Sequence, residues 1–140
     1  MKNNNPNNIY IDTNILIGCY NDNELDKLAI NYLFSLKGKR LYVSSLSIAQ
    51  LASVFQKIKT NEEIKKIIRS IIAKVNIVQF TEVDITTALG YENKDIEDNI
   101  QYVLSQKVKC LWFVTNNIKD YRAYSTIASV NSRDVRTIDK

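Results

Sequence analysis

Apolar residues gather in short runs at Ile9–Ile11, Leu41–Ser44, Ile77–Phe80 and Leu111–Thr115, with a weaker run at Val135–Ile138. Helical spacing fills the stretches between them. This alternation predicts an α/β fold, a three-layer α/β/α sandwich whose central, mainly parallel sheet is joined by right-handed crossovers. The clearest helix is Glu62–Lys74, where Ile64, Ile67, Ile68, Ile71 and Ile72 recur at i, i+3, i+4 spacing and leave Lys65, Lys66, Arg69 and Lys74 elsewhere on its surface. A second helix is expected over about Ser47–Lys59, with Ile48, Leu51, Ala52, Phe55 and Ile58 as its apolar stripe. At about 100° per residue, Gln50 falls opposite that stripe, free to face a cleft or water. The third, Ile96–Lys107, turns Ile96, Ile100, Val103 and Leu104 inward, with Asp95 as N-cap and Asp98 at the third helical position.

At 140 residues the chain fits a single domain, read as a flexible Asn-rich tail over 1–8 and a folded unit over 9–140. With 45% hydrophobic and 24% charged residues it needs neither disulfide nor metal to build a core, and three Gly and one Pro argue against long loops. Cys19 and Cys110 are far apart and each lies in an apolar stretch, which reads as two small buried thiols in a reducing compartment. The start lacks the apolar segment of a signal peptide, and no run approaches the ~18 apolar residues of a membrane span, so a cytoplasmic location without membrane partners is expected. The net charge is +4. Should the site itself be acidic, the remaining surface is more basic than that average, which suits a polyanionic partner.

Candidate chemistry centres on three acids: Asp12 directly after the first apolar run, Asp98 in the first turn of a helix, and Asp120 just after the run Leu111–Thr115. Strand exits in open α/β sheets are where sites form. Each acid also has an ordinary use, Asp12 as a turn-closing cap, Asp98 as a capping-box acid, Asp120 as a solvated first-turn residue. Together on one edge they would repel unless a cation neutralised them, and neutralising Asp12 should then stabilise the metal-free fold slightly. With no histidine in the chain and no close cysteine pair, oxygen ligands point to magnesium or manganese. The basic residues of Glu62–Lys74, with Lys37, Lys39 and Arg40, read first as solvated surface and second as an RNA-backbone contact. Tyr91, Tyr102, Tyr121 and Tyr124 read first as packing residues and second as base-stacking ones.

Four segments carry a family resemblance: Ile9-Tyr10-Ile11-Asp12-Thr13-Asn14-Ile15-Leu16; Ser44-Ser45-Leu46-Ser47-Ile48-Ala49-Gln50-Leu51; Lys94-Asp95-Ile96-Glu97-Asp98-Asn99-Ile100-Gln101-Tyr102; and Phe113-Val114-Thr115-Asn116-Asn117-Ile118-Lys119-Asp120-Tyr121. In order and spacing they resemble the PIN-domain family of metal-dependent ribonucleases, which includes the VapC-type toxins of bacterial toxin–antitoxin pairs. The resemblance implies acids for Mg or Mn at Asp12, Asp98 and Asp120, with Thr115 and Asn117 as neighbouring polar groups that orient water or phosphate. It also implies RNA as substrate, a small antitoxin as partner, and a homodimer. Where the family usually has a second acid, a glutamate, this chain has Gln50; an amide there lowers the carboxylate count and weakens divalent binding. Asn99, where relatives often have a small residue, is a lesser departure. Two readings from other classes stand beside the enzyme. One is a non-catalytic RNA- or protein-binding module on the same scaffold, which Gln50 favours. The other, a phosphoacceptor receiver domain, is disfavoured because Ile77-Val78-Gln79-Phe80-Thr81-Glu82 offers no Asp at the third strand's exit.

Overall fold

The computed structural model describes residues 4–92, 95–124 and 126–138. In chain order the elements are β1 (Asn5–Ile11), α1 (Thr13–Tyr20), α2 (Glu24–Ser35), β2 (Arg40–Ser44), α3 (Ser45–Phe55), α4 (Asn61–Ile72), β3 (Asn76–Val78), α5 (Glu82–Ala88), α6 (Ile96–Lys107), β4 (Cys110–Val114), α7 (Ile118–Tyr121), β5 (Ala128–Val130) and a single 3-10 turn at Val135–Thr137. The five strands form one parallel sheet in the order β3-β2-β1-β4-β5. The three-layer α/β/α arrangement expected from the alternating pattern is therefore present.

β1 shows how the layers form. Successive side chains of a strand point to opposite faces, so Ile9 and Ile11 enter a core with Ile15, Leu16, Ile30, Leu33, Leu51, Phe55 and Ile71. Tyr10 enters the other, with Ile100, Leu104, Phe113, Tyr121 and Tyr124. Helices α1 to α4 cover the first face; α5, α6 and α7 cover the second. No helix among the described residues is long and apolar enough to cross a membrane. Cys110 is buried, Cys19 half-buried, and burial pushes both thiols up, Cys19 to about 11.

Several boundaries differ from the sequence expectations. Val135–Ile138 is not a strand: Val135 and Ile138 both reach the core, but at a spacing of three, and i to i+3 bonds such as Thr137 N–H to Asp134 O close a 3-10 turn. The fifth strand is instead Ala128–Val130, too short and too weakly apolar to announce itself. The second helix starts at Ser45 because the Ser44 hydroxyl caps it, and ends at Phe55, leaving Ile58 at 60% exposure and outside the stripe. The third apolar run is β-structured only over Asn76–Val78, and α4 runs over Asn61–Ile72 with Ile72 exposed. Ile96 likewise faces out at the start of α6. Asn5–Asn8 belong to β1, with Asn5 N–H bonded to Lys109 O, so the domain begins ahead of the expected residue 9. Met1 to Asn3 and Lys94 lie outside the described residues.

Candidate active site

The sheet order places a topological switch point between β1 and β4, because the chain builds outward from β1 through β2 to β3 and then returns to its other side. Crevices at the carboxyl ends of such strands hold ligands. Here Asp12 follows β1 and Thr115 follows β4, and Asp12 N–H bonds to Val114 O. A cleft of about 410 Å³ opens beside them, lined by Asp12, Thr13, Asn14, Ile17, Gln50, Ser53, Val54, Glu97, Asp98, Gln101, Asn117 and Tyr121.

Asp12 is 5% exposed and caps α1. Its Oδ1 accepts from Thr13 N–H at 2.8 Å; its Oδ2 accepts from the Thr115 hydroxyl at 2.8 Å and from Asn14 Nδ2 at 3.0 Å. Burial pushes its carboxyl above the usual range, these hydrogen bonds pull it back, and the charge of Asp120 pushes it up again. Thr115 is fully buried with its proton given to Asp12. It therefore acts by holding Asp12 and cannot touch water or phosphate as the sequence reading had it. Asn117 lines the cleft, its backbone N–H on Thr115 Oγ1 at 3.0 Å. Asp98 is half-buried at the third position of α6, with Asp95 capping as expected, and accepts from the Tyr121 hydroxyl at 3.1 Å. Burial, then Asp95, pushes its carboxyl up to about 6, with Asp120 and Asp12 adding to the rise. Asp120 sits on α7, exposed and outside the cleft lining. The structure thus gathers Asp12, Asp98, Gln50 and Asn117 around one cleft, and Asp120 reaches it through its field.

Among the described residues, no three of His, Cys, Asp and Glu stand close enough to grip one ion as they are. The donor set nonetheless suits a hard cation: every group is an oxygen or amide, and the charge of Asp120 adds to the proton affinity of both Asp12 and Asp98. Magnesium commonly takes one or two carboxylates and fills its shell with water and substrate phosphate oxygens. Burial of Asp98, with the repulsion from Asp95, Asp120 and Asp12 added to it, predicts a stability effect. Asp98 is raised in the fold, so its stabilising contribution is present below about pH 4 and lost as pH rises through about 6. Asp98→Asn, which keeps an acceptor for Tyr121, should therefore raise the melting temperature in chelator by roughly 3 °C at pH 7.5 after allowance for solvent screening. At pH 4 the two forms should melt together. Asp12→Asn should do the opposite of the sequence expectation, since an amide nitrogen would face groups that already donate.

Three supporting residues were not identified from sequence. Asp26, at the third position of α2, reads as a capping acid after Asn23, yet it is 3% exposed. Its Oδ1 accepts from Asn116 Nδ2 at 2.9 Å and from the Ser132 hydroxyl. Asn116 in turn accepts from Ser132 N–H and donates its backbone N–H to Asn14 Oδ1. Asp26 thereby ties the loop after β4 to Asn14 and Asp12. The available signal was its place on the buried stripe with Ala29, Ile30 and Leu33. Gln101, buried on α6, links Tyr10 to Thr13 and Ser47. Tyr121 orients Asp98, and nothing local in the sequence marks that role. Tyr102, Tyr121 and Tyr124 are buried and mutually packed, as the packing reading expected; Tyr91 stands at the rim. Asn99 is fully buried and accepts from the Tyr124 hydroxyl, which accounts for a polar side chain there.

The basic residues lie elsewhere. Lys39 and Arg40 bond Asn7 and Asn8 at the amino end of the sheet, opposite the cleft. Lys66 and Lys74 line a second groove of about 680 Å³ with Lys27, Lys59, Tyr20, Ile30, Phe34 and Ile67.

The chain matches no curated protein sequence. Among solved structures, it is similar to VapBC-1 from nontypeable Haemophilus influenzae (TM-score 0.71, 16% identity, covering 90% of this chain and 98% of that one). VapBC2 from Rickettsia felis bound to a promoter DNA fragment gives a TM-score of 0.67 at 19% identity, over 89% and 98% of the two chains. VapC20 of Mycobacterium tuberculosis, a Sarcin-Ricin loop cleaving toxin, gives 0.65 at 9% identity, over 81% and 95%. Identities this low speak for the fold. The PIN domain model matches residues 9–125, a span holding Asp12, Gln50, Asp98, Thr115, Asn117 and Asp120, and the chain belongs to the PIN domain family.

Proposed function

We propose that the chain is a metal-dependent endoribonuclease of VapC type, the toxin of a toxin–antitoxin pair. The observation that carries this reading is the placing of Asp12, clamped by Thr115 and Asn14, and of Asp98 in one cleft at the switch point. Asp12, Asp98 and Asp120 would hold magnesium or manganese. Bound there, such an ion polarises a phosphate and activates water for hydrolysis of the RNA backbone. The chain's own groups supply position. Thr115, Asn14 and Thr13 fix both oxygens of Asp12, and Tyr121 fixes Asp98. Asn117, at the mouth, offers an amide to water or phosphate.

Metal binding must displace the proton that Asp98 retains up to about pH 6. Calorimetry with manganese should therefore show affinity falling between pH 7.5 and pH 5, and Asp98→Asn binding at least about tenfold more weakly at pH 7.5. Equal affinity in both forms would remove the metal assignment.

The second groove, with Ile30, Phe34 and Ile67 on its floor and four lysines against Asp22 and Glu63 at its edges, suits a mainly acidic amphipathic antitoxin segment better than RNA entering the first cleft. A similar solved structure, from Klebsiella pneumoniae, is itself a toxin–antitoxin complex. Exposed Ile85 on α5 and Leu89, its C-cap, lie on one side of the helix and are apolar positions that a second copy would cover. A reducing cytoplasm suits the two free thiols.

A further inference from the structure

We infer that Gln50 serves the reaction through its amide nitrogen, as a hydrogen-bond donor to a phosphate oxygen of the RNA backbone, and not through its oxygen as a metal ligand. This rests on the ribonuclease reading and assigns one of its substrate contacts. The proton order in the buried network decides which end of the amide faces the cleft. Tyr10's hydroxyl donates to Gln101 Oε1, and Gln101 Nε2 donates to Thr13 Oγ1 at 3.4 Å and Ser47 Oγ at 3.3 Å. Ser44's hydroxyl also donates to Ser47 Oγ at 3.1 Å, which leaves the Ser47 proton to Thr13 Oγ1 at 2.6 Å. Thr13's own proton then goes to Gln50 Oε1 at 2.8 Å. Donation runs one way, from the sheet to the cleft wall.

Turning the Gln50 amide over would set its N–H groups against a hydroxyl that already accepts from Gln101 and Ser47. Gln50 Oε1 is thus held inward, and no described residue accepts from its Nε2, although Gln50 lines the cleft with Asp12 and Asp98. An N–H pair repels a cation and attracts a phosphate oxygen. At a position where the family usually has a metal-binding acid, this chain presents the opposite preference.

Two probes separate the roles: manganese alone, and a single-stranded oligoribonucleotide of mixed sequence in chelator. Gln50→Ala should weaken the oligonucleotide about tenfold, as loss of a donor to a charged acceptor does, and leave manganese affinity within twofold. Gln50→Glu should weaken chelator binding further while tightening manganese. The Gln50 side-chain amide resonance, assigned by its loss in Gln50→Ala, should move on adding the oligonucleotide in chelator and stay nearly unmoved on adding magnesium, which is diamagnetic, to a metal-free sample. Weaker manganese with unchanged RNA binding in Gln50→Ala would make Gln50 a metal ligand and overturn the inference. No change in either affinity, with melting unaltered, would overturn it too. If the unaltered chain binds no RNA with or without metal, the ribonuclease reading falls and takes this contact with it; RNA binding that Gln50→Ala preserves sinks only the contact.

Discussion

Asp26→Ala is expected to melt roughly 7 °C below the unaltered chain, a loss of about 2 kcal/mol, because it leaves the buried Ser132 hydroxyl and the part-buried Asn116 Nδ2 without their acceptor. The effect should reach the cleft. Asn116 also holds Asn14, which holds Asp12 and Thr115, so loosening the loop after β4 shifts the groups that fix Asp12. Gly18 offers an independent approach to the same carboxylate. A Cβ there would lie 1.7 Å from Asp26 Oδ2, and that carboxylate is pinned rather than free to swing. Gly18→Ala should cost about 2 kcal/mol through this overlap. Thermal melts of both variants and of the double variant check the claim: the two losses should add to less than their sum, since the methyl then enters space the carboxylate has left. Full additivity would mean that they act on separate structures.

Gln50→Glu is the second large effect. One carboxylate oxygen would keep the Thr13 proton, and the other would replace the amide nitrogen at the cleft. Gain of a metal-orienting group should raise manganese affinity about 10–100-fold. The added charge should also lower the melting temperature in chelator, by the repulsion that already lifts Asp98, and manganese should restore it. Calorimetry paired with melts in chelator and in manganese reads both. Unchanged manganese affinity would show that this position does not reach the ion.

The α/β alternation, the parallel sheet and three of the four long helices were legible because their apolar periodicity is strong and, for α6, because the Asp95 cap is local; α2 and the Ser44 cap of α3 were not. β5 was not, since three residues of Ala-Ser-Val carry almost no pattern. Its pairing with β4 is a tertiary fact. Asp12 and Asp98 were legible as strand-exit and helix-start acids. Their partners were not: Asp26 looks like any first-turn acid until Ser132, far along the chain, is seen against it. Thr115 was legible as a site residue, but its role depends on which atom receives its proton. For the same reason Gln50 reads from sequence as a weakened ligand, and its inward-turned oxygen becomes visible only with Thr13 and Gln101 in place.

The most direct measurement is cleavage of single-stranded RNA by the intact chain in magnesium, beside chelator and beside Asp98→Asn. The account predicts internal cuts in magnesium, faster with Gln50→Glu at subsaturating metal, and none in chelator or with Asp98→Asn. Metal bound at the cleft with no cleavage by either the unaltered chain or Gln50→Glu would contradict it, and would make this PIN domain a binding module.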